Sequence, residues 1–173
     1  FPKAYQAWKE LTPEARAKLK LIAGVEILLA PAQPQDRKPT PAVILLARTR
    51  RAYGLMCRMI TAAHAGKEKG QAHLTPQELC QWLSDPQYLE AARELALILS
   101  AQPPLQAQTQ WVQELIALRS ASIHVAVFQF RDNLDRERIQ AAKKLASQMG
   151  EHRFIAANDV HLATRAQKPL QDI

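Results

Sequence analysis

The chain has 173 residues, 47% of them hydrophobic and 23% charged, which suffices for one globular domain with a real core. No apolar run approaches the roughly 20 residues of a membrane span, and no signal-peptide pattern opens the chain, so neither a membrane protein nor an exported one is expected. The net charge of +7 and the pI near 9.7 suit a polyanionic partner without establishing one.

In chain order, residues 2–18 read as helix. Ala4, Tyr5, Trp8 and Leu11 form an apolar stripe at helical spacing, and Thr12-Pro13 restarts the helix with a cap and a first-position proline. Residues 19–29 are apolar on both faces, which predicts a central parallel strand broken by Gly24. Glu26 sits in its middle. Buried there, a carboxylate would need an ion pair, hydrogen bonds or a metal; the alternative is that Glu26 points outward at a sheet edge. Residues 30–41 hold four prolines and predict a loop.

Residues 42–47 predict a second buried strand. Thr49 then caps a helix over 50–64 with Ala52, Leu55, Met56, Met59, Ile60 and Ala63 on its inner face. Arg48, Arg50, Arg51 and Arg58 are the densest basic group, and a solvated helix start is the first reading of it. Residues 66–70 predict a basic loop, and Leu74-Thr75-Pro76 begins another helix. His64 and His73 are expected as exposed helix-end residues. Residues 86–94 predict helix, 95–101 strand, 105–119 helix, 121–130 strand and 132–150 helix. His124 is expected to be a satisfied core or edge histidine. Cys57 and Cys80 fall on predicted helices without C-x-x-C spacing, so neither a disulfide nor a zinc site is suggested and a reducing, cytoplasmic setting is expected.

A last strand over 153–157 is followed by Asn158, Asp159 and His161. In an extended segment residues two apart share a face, so Asp-x-His aims two metal-capable groups the same way. An oxygen and a nitrogen donor at the C-terminal end of a parallel strand suit zinc, manganese or iron; a capped turn is the bland alternative. The strand–helix alternation predicts an α/β fold of parallel βα units, either a barrel or an open doubly wound sheet. No G-x-G-x-x-G, G-x-x-x-x-G-K or G-x-S-x-G occurs, which argues against Rossmann, P-loop and α/β-hydrolase sites.

The run Ala157-Asn158-Asp159-Val160-His161, with Arg165 and Lys168-Pro169-Leu170-Gln171-Asp172 after it, resembles the end of the PHP (polymerase and histidinol phosphatase) domain of bacterial C-family DNA polymerases, the DNA polymerase III α-subunit type. The look is nearest to the error-prone branch. Leu21-Ile22-Ala23-Gly24-Val25-Glu26, Leu45-Leu46-Ala47-Arg48, Ala52-Tyr53-Gly54-Leu55-Met56, Lys69-Gly70 with Leu74-Thr75-Pro76, and Leu97-Ile98-Leu99-Ser100-Ala101 follow in the family's order.

The resemblance implies a distorted, TIM-like α/β barrel and a divalent metal (Zn, Mn or Mg) held by Glu26, Asp159 and His161. Ala42 or a neighbour stands where the family often has a His, and Gln102 where it often has a Cys. The family's first-strand His-x-His has no counterpart. With the missing initiator Met, this implies one PHP-like domain over 1–173, incomplete at its N-terminus and ending at the junction to the polymerase part. The expected function is the PHP portion of an error-prone DNA polymerase that makes DNA in damage-tolerant replication or repair. DNA and other replication or translesion proteins are the implied partners of the parent. Three ligands hold at most one weak metal, and two-metal phosphoester hydrolysis needs more, so this segment is expected to be inactive alone and to carry no catalytic residue. The alternatives are a stand-alone PHP-type phosphoesterase and a silent scaffold that binds DNA or a polymerase partner.

Overall fold

The computed structural model describes residues 2–29, 42–100, 109–118, 121–128, 133–149 and 154–157. Helix α1 (Pro2–Glu10) and helix α2 (Pro13–Lys18) are separated by Thr12, whose hydroxyl accepts from the Ala15 N–H at 3.3 Å. Neither helix buries a residue. The α1 stripe is therefore not a core face: Ala4 and Tyr5 are exposed, and Trp8 and Leu11 are half-buried. The Trp8 indole N–H instead donates to the Leu19 carbonyl at 3.0 Å, which ties α1 to the segment entering the sheet.

The sheet has five strands in chain order: β1 (Ala23–Leu28), β2 (Ala42–Ala47), β3 (Leu95–Ser100), β4 (Ser122–Phe128) and β5 (Phe154–Ala157). Two expectations need correction. First, β2 runs antiparallel to both β1 and β3, so the sheet is mixed; only β3–β4 and β4–β5 are parallel pairs. Second, β1 is an edge strand among the described residues, not a central one. Its alternation is one-sided, with Ile27 buried and Gly24, Glu26 and Leu28 exposed. Leu19 and Ile22, which made the run look apolar on both faces, stay outside the strand and are 53% and 60% exposed. The described sheet is open, with β1 and β5 at its edges.

Helix α3 (Arg50–His64) begins at Thr49, which caps the Ala52 N–H at 3.2 Å, and buries Ala52, Leu55, Met56, Met59 and Ala63. Helix α4 (Pro76–Ser84) starts from a full capping box: the Thr75 hydroxyl accepts from the Glu78 N–H at 3.1 Å, and the Glu78 carboxylate accepts from the Thr75 N–H at 2.7 Å. Helix α5 (Leu89–Arg93) leads into β3, while α6 (Thr109–Leu118) and α7 (Asp135–Ser147) are the crossovers of the two parallel pairs. α3 packs on β1 and β2, α5 on β3 and α7 on β4.

One sheet face carries Ile27, Val43, Leu45, Leu95, Leu97, Leu99, Ile123 and Val125, and with the helices it forms a single core. These eight side chains, each leaving at most 7% of its area exposed, are the main stabilising term, at about 1.5–3 kcal/mol apiece before chain entropy is charged. The second face carries Glu26, Ile44, Ile98 and His124 in one cross-strand row, of which Ile98 is buried and Ile44 half-buried.

Candidate functional site

β1 is antiparallel to β2 and β2 to β3, so β1, β3, β4 and β5 all point the same way. Their C-terminal ends, at Leu28, Ser100, Phe128 and Ala157, lie along one edge of the sheet. The start of β2 reaches the same edge, because Ala42 is the register partner of Leu28. Ser100 pairs with Ala126, which in turn pairs with Ile155. In open α/β sheets this carboxyl edge is where ligands gather.

Glu26 lies two residues from that edge, on the second face and not on the core face. It is exposed, so its carboxylate carries no burial penalty, and among the described residues it has no hydrogen-bond or ion-pair partner. Of the two alternatives for Glu26, the outward-facing edge position is the one the structure shows. Ala42 shares its face, one cross-strand row nearer the edge, and brings a methyl group with no donor atom. Asp159 and His161 follow β5 directly in sequence but lie outside the described residues, as does Gln102.

His124 is the other metal-capable side chain in Glu26's row. Three interstrand steps of about 4.8 Å separate them, about 14 Å in all, whereas ligands of one ion sit about 2 Å from it. They cannot share a metal. His124 Nε2 instead lies 3.0 Å from the Ser122 hydroxyl, as a half-buried, satisfied residue. Among the described residues no group of three His, Cys, Asp or Glu side chains converges. Glu26 is thus the one proposed ligand with a described position. A carboxylate there fits a divalent cation by donor chemistry, but it needs partners from outside the described residues.

Cys80, Glu78, His73 and His64 have structural settings. Burial pushes the Cys80 thiol up to about 11, with a smaller contribution from the charge of Glu114, so it is a packed thiol and not a nucleophile. Cys57 and Cys80 are both free. The bond from the Thr75 N–H holds Glu78 below the usual carboxylate range. His73 Nδ1 lies 2.7 Å from the Gln71 carbonyl, Lys67 donates to the His73 carbonyl, and His64 is exposed at the end of α3.

The structure also holds a feature that the sequence reading did not assemble. A cavity of about 650 Å³ opens at the opposite edge of the sheet, between α1 and the β2–α3 junction. Its signal was the α1 aromatic stripe, which only the folded chain sets beside Arg48 and Arg50. No helix among the described residues is long and apolar enough to cross a membrane.

No protein-family model matches the chain. It is 28% identical over 176 residues to the error-prone DNA polymerase of Ralstonia nicotianae, covering 99% of this chain and 15% of that protein. It is 30% identical over 154 residues to the error-prone DNA polymerase of Pseudomonas fluorescens, covering 89% of the chain and 13% of that protein. Against the protein of the same name from Brucella abortus the figures are 26% over 175 residues, 99% and 14%. The chain is therefore similar over nearly all its length to a segment of the error-prone DNA polymerases, and it spans between 13% and 15% of the length of these relatives.

Proposed function

We propose that this chain is the PHP-domain portion of an error-prone DNA polymerase, a mainly structural segment with a partial, degenerate metal site. The observation that carries this reading is the coverage: relatives named error-prone DNA polymerase match as much as 99% of the chain. The parent would be a DNA-directed DNA polymerase acting on DNA in damage-tolerant replication or repair in the cytoplasm, with other replication or translesion proteins as further partners. Residues 1–173 would belong to one PHP-like domain of that parent. Strands that neighbour each other in chain order, with β1, β3, β4 and β5 pointing one way, support the TIM-like reading, while the antiparallel β2 departs from a regular parallel barrel.

In this reading Glu26, Asp159 and His161 would hold one divalent ion at the carboxyl edge of the strands. When bound, such an ion polarises water or a phosphoryl oxygen. Glu26 would contribute a charged oxygen from an exposed strand position, which costs nothing in desolvation before the ion arrives. Ala42 offers no donor to a second ion. The segment alone therefore lacks the bridging groups of a two-metal phosphoesterase.

The test is hydrolysis of a thymidine monophosphate aryl ester by the purified chain with manganese or zinc. The expected result is no turnover above the metal-only background. Turnover that Asp159→Ala abolishes would refute the degenerate-site reading and favour a stand-alone phosphoesterase.

A further inference from the structure

The cavity at the amino edge of β1 lies across the sheet from the proposed metal site and has no role in it. α1 gives it Tyr5 and Trp8, the turn after β2 gives Arg48, the start of α3 gives Arg50 and Tyr53, and Leu21 closes it on the β1 side. Its volume of about 650 Å³ lies within the ~300–1,000 Å³ of ligand clefts.

Three properties define what it can bind. The first is aromatic surface that the core does not use. Tyr5 is 46% and Tyr53 39% exposed, and Tyr5 stacks against Trp8 with centroids 6.0 Å apart and planes 20° apart. Arg16 lies over the Trp8 ring at 5.9 Å and Lys9 over the Tyr5 ring at 5.7 Å, so these rings are already ringed by positive charge. The second is uncompensated positive charge. Arg48 and Arg50 are exposed, and among the described residues no carboxylate lines the cavity and neither arginine has an ion pair. The third is the neutral phenol of Tyr53. A phenol is uncharged at neutral pH and the hydrogen bond with Cys57 raises its pKa further, so it adds no negative charge beside the arginines.

Flat apolar rings beside unpaired arginines match a ligand that alternates flat bases with phosphates. We infer that this groove binds single-stranded DNA, with a base against the Tyr5, Trp8 and Tyr53 rings and the neighbouring phosphates on Arg48 and Arg50. The occupant is chosen by charge and by the unstacked base: a duplex hides its base faces, and an acidic peptide would leave the rings without a stacking partner. The choice of DNA over RNA rests on the polymerase reading; the groove itself does not involve the metal site.

The experiment is fluorescence anisotropy of a labelled 20-nucleotide oligothymidylate titrated with the 173-residue chain in EDTA, at several salt concentrations. Binding is expected, with the affinity falling as salt rises and a hairpin duplex bound more weakly. Tyr5→Ala combined with Tyr53→Ala is expected to weaken binding roughly tenfold. Arg48→Ala with Arg50→Ala should lower the slope of log affinity against log salt by about 1 to 1.5. Thermal melting of both double variants by circular dichroism, expected at the parent's midpoint, separates loss of these contacts from loss of folding. The inference is overturned if the tyrosine pair binds as tightly as the parent chain, if the arginine pair leaves the slope unchanged, or if duplex or oligouridylate binds as well as or better than oligothymidylate. Concentration-dependent dimerisation lost with the tyrosine pair, in place of DNA binding, would likewise overturn it in favour of a second copy of the chain. Because EDTA removes metal, failure here says nothing against the polymerase reading, and failure of the metal site says nothing against the groove.

Discussion

Replacing Thr75 with alanine should destabilise the chain by removing half of the capping box at the start of α4. The Thr75 hydroxyl accepts from the Glu78 N–H at 3.1 Å, and the Glu78 carboxylate returns a bond from the Thr75 N–H at 2.7 Å. Loss of a threonine cap costs about 1 kcal/mol, within a range of 0.5–2. For a chain of 173 residues that corresponds to a melting-point drop of about 2–4 °C per kcal/mol. Glu78 adds a pH signature. Its carboxyl titrates below its ordinary value because the ionised form accepts the Thr75 N–H, so the folded state binds its proton less readily than the unfolded state does. That stability is fully present above the unfolded carboxylate pKa and is lost as the pH falls through the lower, folded value. Urea unfolding followed by circular dichroism at pH 7 and at stepwise lower pH should show this component in the parent chain and not in Glu78→Gln. Two results would refute the reasoning: Thr75→Ala unfolding at the parent's midpoint, or Glu78→Gln losing stability on acidification as steeply as the parent.

Leu97 is fully buried in β3, at the middle of the core face, so Leu97→Ala should cost about 2–5 kcal/mol, read as a lower urea midpoint. A Cβ at Gly24 would sit 2.7 Å from Leu46 Cδ2 and 3.2 Å from the Leu45 carbonyl oxygen; the leucine terminus can swing aside and alanine gains roughly 0.5–1 kcal/mol over glycine inside a strand, so Gly24→Ala should change stability by no more than about 1 kcal/mol, read as a urea midpoint close to the parent's. With its thiol near 11, Cys80 is about one-thousandth ionised at pH 8 and should react with a thiol reagent very slowly in the folded chain, and rapidly in urea.

Much of this fold was legible because local signals agreed with burial. Residues 42–47 and 50–64 emerge with the predicted bounds, since a short apolar run and a Thr-capped amphipathic stripe each admit one period. The Thr75-Pro76 start was legible for the same reason. Strand direction was not, because hydrophobic alternation is identical for parallel and antiparallel strands. The Pro-rich connection over 30–41 carries the one hint of direction: parallel neighbours need a crossover, commonly a helix, and four prolines do not offer one. β1 was misplaced because Leu19, Leu21 and Ile22 look like strand to a periodicity argument, yet they remain exposed before it. Of the candidate site, Glu26 emerges as the edge carboxylate that one reading foresaw, while Asp159 and His161 lie outside the described residues. The groove was illegible because Tyr5 and Tyr53 are distant in sequence and meet only through the β1–β2 pairing.

The most direct measurement is the stoichiometry and affinity of zinc or manganese on the purified chain, by elemental analysis after dialysis and by calorimetric titration. The account predicts no more than one weakly held ion per chain, weakened by each of Glu26→Gln, Asp159→Ala and His161→Ala. Two tightly held ions, or one that survives all three substitutions, would contradict it.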